Sequence, residues 1–172
     1  MKKLMALLAV VALSTGLVVF LAQRDQDDVP DNSLLLRVDK SGTGETLLSL
    51  PVSVGEEFDI RWIHSVSGSP IRDTYRIRED GEIVMTEYAY QWWAEPLHKE
   101  SNSEVTVVSD GGWTRVVFEV ERQFDPCLTL RLSTHDTHEL IVGGSTIPLL
   151  DIAEAGDAVK FRVLTTGNGG RE

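Results

Sequence analysis

The chain has 172 residues, of which 42% are hydrophobic, and a formal net charge of −11. This composition supports a packed core and is typical of one domain with an appendage, so it excludes a wholly disordered chain. The acidic balance disfavours nucleic acid and anionic lipid surfaces as partners, and a single cysteine, Cys127, excludes an internal disulfide.

Residues 1–22 are predicted to form a signal-anchor. Two lysines near the start precede an uncharged apolar run over residues 4–22, close to the ~20 residues that a helix needs to cross a bilayer. Phe20 and Leu21 make a poor cleavage site, which favours a retained anchor over a removed signal peptide. The positive-inside rule then places the rest of the chain outside the cytoplasmic membrane, in the periplasmic or extracytoplasmic space.

Residues 23–33 are acidic and poor in apolar side chains, which predicts a solvated linker. From residue 34 the apolar residues recur with a period of two, typical of strands. Strands are predicted over 34–38, 46–52, 58–64, 73–78, 82–90, 105–108, 113–121, 128–133, 139–142, 146–150 and 158–164. This pattern predicts an all-β domain over 34–165, an antiparallel sandwich or a partly open barrel, and then a flexible tail over 166–172.

The richest set of hydrogen-bonding side chains lies within residues 62–75. His64 and Ser65 stand at the end of one predicted strand, and Asp73 and Tyr75 lie on the strand that returns. A hairpin would bring these four groups close together. His64 could contact a ligand or titrate near neutral pH, or it could brace the turn with help from Asp73; the sequence leaves both interpretations open.

A hydrolytic triad of Ser65, His64 and Asp73 is disfavoured. Neighbouring side chains on a strand point to opposite faces, so His64 is poorly placed to activate Ser65. The chain also lacks a Gly-x-Ser-x-Gly nucleophile elbow.

His135 and His138 are weak candidates for metal ligands. Two imidazoles three positions apart on a turn could share a zinc ion, with Asp136 or the distant His98 completing the shell. A solvated polar turn between two strands is the favoured alternative, because a closed zinc site needs four ligands. No cofactor is predicted.

Trp92 and Trp93 interrupt the alternating pattern, in a stretch that predicts a loop over the sheet. Adjacent tryptophans could form a recognition surface for a ligand or partner. The favoured alternative is a lid that covers the end of the core, since each ring buries a large apolar area.

The spacing of His64-Ser65-Val66, Pro70, Asp73 and Tyr75 resembles a bacterial family of domains of unknown function. Members of that family are encoded beside, or fused to, TAXI-type TRAP transporters. The family often has Glu where this chain has Asp73, and its glycine-rich loop ending in proline is matched here only at Pro96. The resemblance implies an exported all-β domain with a transporter link.

Together these features predict an exported, membrane-anchored, non-enzymatic binding or accessory module. Its partner would be a TRAP transporter membrane subunit or solute-binding protein, and its site would comprise His64, Ser65, Asp73, Tyr75 and the Trp92-Trp93 pair, with Asp73 orienting His64. One alternative is a metal-dependent hydrolase of the envelope that uses His64, Asp73, His98, His135 and His138. Another is a purely structural envelope protein.

Overall fold

A computed structural model describes residues 34–65, 67–91, 104–124, 127–134 and 136–165. Over these residues the chain forms the strands β1 (Leu34–Lys40), β2 (Thr46–Val52), β3 (Glu57–Ile63), β4 (Pro70–Ile77), β5 (Ile83–Gln91), β6 (Val105–Asp110), β7 (Trp113–Gln123), β8 (Thr129–Arg131), β9 (His138–Val142), β10 (Ser145–Pro148) and β11 (Ala158–Thr165). A 3₁₀ turn, Leu149–Asp151, follows β10. Each predicted strand overlaps one of these strands, so the all-β prediction is confirmed.

The strands form two antiparallel sheets. The four-stranded sheet has the order β2-β1-β11-β8, and the seven-stranded sheet has the order β10-β9-β3-β4-β5-β7-β6. Of the two predicted alternatives, a sandwich and a partly open barrel, the structure has the sandwich. Pro51 lies near the end of β2, an edge strand, where its missing N–H leaves no gap in a ladder.

The alternation of apolar residues places the main core cluster between the two sheets. Leu36 and Val38 of β1 and Phe161 of β11 are fully buried, and Phe58 and Ile60 of β3 join them from the seven-stranded sheet. Period-two alternation gives each strand one such inward face. Apolar burial at about 25 cal/mol per Å² is the main favourable term holding the two sheets together.

A second cluster consists of buried residues of the seven-stranded sheet, namely Ile71, Tyr88, Tyr90, Val105, Val116 and Phe118. Trp62 and Met85 are partly buried and pack against both clusters. Trp62 therefore lies at the junction between the main core cluster and the second cluster.

Most strand boundaries shift by a few residues from the predicted ones, and two of these shifts involve a proline. β4 begins at Pro70 rather than Asp73, because a proline is tolerated as the first residue of a strand. The predicted strand 146–150 stops at Pro148, and Leu149 instead enters the 3₁₀ turn with its side chain buried.

The predicted anchor over 1–22, the linker over 23–33 and the tail over 166–172 lie outside the described residues. In the part of the chain that the structure describes, no helix has the length and hydrophobicity of a bilayer span.

Candidate functional site

The hairpin of β3 and β4 carries the first four predicted site residues. Ile63 pairs with Pro70, so the connecting turn spans residues 64–69. The His64 N–H donates to the Ser69 carbonyl oxygen at 2.8 Å, and the Gly68 N–H donates to the His64 carbonyl oxygen at 2.8 Å. Gly68 has a φ of 65°, which glycine adopts without a steric cost. The hairpin expected from the sequence is therefore present.

His64 is engaged within this turn. Its Nδ1 lies 3.3 Å from the Ser67 backbone N–H and 3.1 Å from the Ser67 Oγ. Its ring is half-buried, 6.1 Å from the Trp62 ring, whereas Ser65 is exposed to solvent. The contacts of Nδ1 brace the turn, and Ser65 is accessible from outside.

Asp73 bonds to Trp62 and not to His64. The Trp62 indole N–H donates to Asp73 Oδ2 at 3.0 Å. Asp73 pairs with Ile60, four residues before His64, which at ~3.3 Å per residue places it roughly 13 Å along the strand from the turn. The expectation that Asp73 orients His64 is therefore wrong, because the register puts the carboxylate too far from the imidazole.

The surroundings of Asp73 disfavour the ionised form of its carboxyl group. Burial raises the pKa of the Asp73 carboxyl to about 6, the hydrogen bond from Trp62 partly opposes this, and the nearby Asp59 carboxylate adds to it. Burial also raises the pKa of the Tyr75 hydroxyl. Tyr75 lies in the main core cluster and stacks on Phe58 with ring centroids 5.2 Å apart, so its ring belongs to the core.

His138 is the first residue of β9 and pairs with Trp62 of β3. The two rings stack with centroids 6.4 Å apart and an angle of 11° between planes. His138 is only 5% exposed, and burial lowers the pKa of its imidazole, with a smaller opposing effect from Asp136. The expectation of a solvated turn is wrong at His138; its alternation with Leu140 and Val142 was the signal that it begins an inward strand face.

The described residues do not form a set of metal ligands around His138. Within those ranges, no group of three or more His, Cys, Asp or Glu side chains is arranged to hold a metal ion. His135 and His98 lie outside the described residues.

A pocket of about 380 Å³ lies beside the hairpin end. Its lining residues comprise two tryptophans, two apolar residues and three polar ones: Trp62, Trp113, Ile63, Pro70, Arg61, Thr137 and Glu139. Antiparallel pairing explains the grouping, since the end of β3 and the starts of β4, β7 and β9 lie at one end of the sheet. We name this pocket, with His64 and Ser65, the hairpin-end site.

Cross-strand pairs fix the polar and aromatic walls of the hairpin-end site. Arg61 Nε donates to Glu139 Oε2 at 2.6 Å, linking β3 to β9. The Arg72 guanidinium of β4 lies 5.9 Å from the centre of the Trp113 ring of β7. The sequence reasoning missed Arg61, Trp113 and Glu139, because these residues converge only through pairing between distant strands.

Trp92 and Trp93, the remaining predicted site residues, lie outside the described residues. They directly follow Gln91, the last residue of β5, which pairs with Trp113. Both predicted roles of this pair, as a lid and as a recognition surface, stay predictions.

No curated protein and no solved structure matches the chain. The model of one family, described as a domain of unknown function (DUF1850), matches residues 58–149. These 92 residues (149 − 57) are just over half of the 172, and they include the β3–β4 hairpin and every lining residue of the pocket. The chain therefore belongs to the DUF1850 family.

Proposed function

We propose that the chain is a non-enzymatic binding module, anchored by residues 1–22 on the outer side of the cytoplasmic membrane. In this proposal it serves as an accessory to a TRAP-type solute transporter and contacts its partner through the hairpin-end site. The observation that carries the proposal is the hairpin-end site itself, where Trp113, the Arg61–Glu139 ion pair and the exposed Ser65 lie at one end of the sheet.

The composition of the pocket supports binding. Recognition sites are concave, mostly apolar or aromatic, and carry a few placed polar groups; about 380 Å³ is within their usual range. Trp113 supplies a large rigid surface, and tryptophan and arginine are the residues that most often dominate binding energy. Arg61 is 47% exposed in its side chain, so it is accessible to a partner as well as to Glu139.

The partners of the polar side chains support a non-enzymatic role. Covalent catalysis by a serine needs a base within hydrogen-bond reach and a third group that orients the base. Here His64 Nδ1 contacts Ser67, and Asp73 accepts from Trp62. The base and the orienting carboxylate of a Ser65-based triad therefore have other partners.

The transporter assignment is supported by the family resemblance and by the predicted membrane address. Domains with a His-Ser-Val motif of this kind are encoded beside TAXI-type TRAP transporters, whose solute-binding proteins work outside the membrane. An anchored domain on that side has direct access to the membrane subunit and to the solute-binding protein. Of these two, we take the membrane subunit as the partner, since both chains would lie in one bilayer.

Co-purification tests this proposal. We expect the affinity-tagged full chain to retain the membrane subunit of the cognate TRAP transporter from detergent-solubilised membranes. Trp113→Ala should reduce the recovered subunit at least tenfold, because truncating a central aromatic anchor typically costs about 2 kcal/mol or more.

Val120→Ala is the matched control, since Val120 lies on the same strand, is 69% exposed and is remote from the pocket. It should retain the subunit at the wild-type level, and both variants should show wild-type thermal unfolding within a few degrees. Failure of the wild-type chain to retain the subunit would contradict the proposed partner. Equal recovery with both variants would contradict the proposed site.

A further inference from the structure

The four-stranded sheet differs in charge from the rest of the molecule. Its strands carry one acidic residue, Asp39, and five basic ones, namely Arg37, Lys40, Arg131, Lys160 and Arg162. The strands of the seven-stranded sheet carry eight acidic residues and five basic ones, and the net charge of the whole chain is −11. An anionic surface therefore attracts the side of the sandwich that the four-stranded sheet forms, and repels the other side.

Strand pairing puts four of the basic residues on the outer face of this sheet. Phe161 of β11 is fully buried, so its neighbours Lys160 and Arg162 point outward. Arg37 pairs directly with Arg162 and shares its face. Arg131 of β8 is exposed and pairs with the residue two positions before Lys160, which places it on the same face. We name these four residues the basic face.

Asp39, the one acidic residue on the outer face of the described strands of this sheet, positions two of the guanidinium groups. Arg37 Nη2 donates to Asp39 Oδ1 at 2.9 Å, and Arg162 Nε donates to Asp39 Oδ2 at 3.1 Å. The Asp39 side chain is 1% exposed, whereas that of Arg162 is 46% exposed. The surface thus presents guanidinium groups rather than a carboxylate, and the planar guanidinium is well suited to bind phosphate oxygens.

An apolar row lies beside the basic face. Leu35 of β1 pairs with Pro51 of β2 on one side and with Leu164 of β11 on the other. Pro51 is exposed and Leu164 is 36% exposed. The row is two positions along the strands from the Arg37–Arg162 pair. Binding to a bilayer surface combines burial of apolar side chains at the headgroup boundary with attraction between basic side chains and anionic lipids, and this face offers both.

The chain enters the sheet next to the apolar row. Leu34, the first residue of β1, directly follows the predicted linker over residues 23–33. A linker of that length extends over at most ~40 Å. A domain anchored by residues 1–22 therefore stays close to the headgroups, and the high effective concentration of the surface lets a few weak contacts dock the domain.

Resting on the anchoring step of the proposed function, we propose that the basic face docks on the anionic phospholipid headgroups of the membrane that holds residues 1–22. The four basic side chains contact lipid phosphates, and the apolar row enters the headgroup layer. The seven-stranded sheet then faces away from the bilayer, so the domain has one preferred orientation and the hairpin-end site lies on the side farther from the lipids.

The net charge of −11 does not prevent this docking. Two packed sheets lie ~10 Å apart, which exceeds the Debye length of ~8 Å at physiological ionic strength. The acidic residues of the seven-stranded sheet are therefore largely screened from the headgroups when the basic face is in contact. In any other orientation the acidic residues meet the surface and are repelled.

The test uses the full chain reconstituted in lipid nanodiscs, with a bimane fluorophore on one cysteine and nitroxide quenchers on the lipid headgroups. Cys127→Ser removes the native thiol. Ser49→Cys places the dye beside Arg37, on the outer face of the four-stranded sheet. Val108→Cys places it on the other sheet; both positions are exposed and lie on edge strands. We expect quenching at position 49 and not at position 108 in discs rich in phosphatidylglycerol, and loss of the quenching in discs of phosphatidylcholine alone.

A double variant, Arg131→Gln with Lys160→Gln, tests the basic face. A basic side chain near an anionic surface is worth about fivefold, so removing two should lower the ratio of docked to undocked domain about 25-fold. Arg37 and Arg162 still hold Asp39 in this variant. The matched control is Arg78→Gln with Arg122→Gln, which makes the same change in net charge outside the four-stranded sheet. It should leave the quenching at the wild-type level, and thermal unfolding checks that each variant is folded.

Equal quenching at the two dye positions, quenching at position 49 that is the same in neutral discs, or equal effects of the two double variants would overturn the inference. Absence of quenching at position 49 would do so as well, and would point to the acidic linker or a protein as the occupant of the face. The discs contain no transporter, so docking without co-purification removes only the proposed partner, and co-purification without docking removes only this inference. A chain that does not incorporate into the discs would contradict the anchor, and with it the docking.

Discussion

Replacing Asp73 by asparagine is expected to stabilise the domain by up to about 3 kcal/mol at pH 7. The physical reason is that asparagine keeps the acceptor for the Trp62 indole N–H but carries no charge into the core. The ordinary pKa of an aspartate is 3.8, and burial raises that of Asp73 to about 6 in the folded state. The difference between these two values sets the size of the effect.

The sign follows from proton linkage. Between about pH 4 and pH 6 the folded state holds a proton on Asp73 that the unfolded state has released. The stabilisation from the protonated carboxyl is therefore complete below pH 4 and is lost as the pH rises through 6. The advantage of Asp73→Asn should accordingly be near zero at pH 4, grow up to pH 6 and stay constant above it.

Urea unfolding of wild type and Asp73→Asn from pH 4 to pH 8 measures this difference. Asp151→Asn is the control, because it makes the same chemical change at an exposed aspartate. It should leave the free energy of unfolding within about 0.5 kcal/mol of wild type. A destabilised Asp73→Asn at pH 7 would contradict the account, since it would mean that the ionised carboxylate is favourably solvated.

Replacing Phe58 by alanine should cost about 3–5 kcal/mol, a large part of the 5–15 kcal/mol that stabilises a typical domain. Phe58 is 1% exposed and joins the two sheets. Its ring stacks on Tyr75 at 5.2 Å in its own sheet and lies 6.2 Å from Phe161 in the four-stranded sheet. Truncation removes both contacts and leaves a cavity at the centre of the main core cluster.

The measurement is the midpoint of thermal or urea unfolding. Phe58→Leu, which keeps most of the volume, should lose clearly less than Phe58→Ala. A loss below about 1 kcal/mol for Phe58→Ala would show that this position is not at the centre of a sandwich core.

The strands could be predicted because their signal is local. Alternating apolar residues and glycine-containing turns mark each strand without reference to its partners, as at Leu36 and Val38 of β1. Strand boundaries were predicted less accurately where turn-forming residues lie at the end of a strand. Pro70 is read as part of a turn by composition, yet it pairs with Ile63 and begins β4.

The site was predicted in part. The hairpin brought His64 and Ser65 to the sheet end as expected, but the partner of Asp73 is Trp62. The contact between Trp62 and Asp73 could have been predicted from the sequence. Closing the turn between Ile63 and Pro70 fixes the register, and this register sets Trp62 diagonally across from Asp73 on the same face.

The pocket walls were beyond sequence reasoning. Arg61 meets Glu139 because β3 pairs with β9, and these two residues are 78 positions apart in the chain. Trp113 arrives through the pairing of β7 with β5. Pairings over such separations depend on the order of strands in the sheet, which alternation within one strand does not specify.

Site-specific photo-crosslinking in living cells tests most directly whether the hairpin-end site contacts the transporter. A benzophenone amino acid would be placed at Ser65, on the turn after β3, and at Val54, before β3 at the opposite end of that strand. Both positions are exposed, so neither change disturbs the core. We expect an adduct with the transporter membrane subunit from position 65 and none from position 54; an adduct from position 54 alone, or equal adducts from both, would contradict the proposed contact.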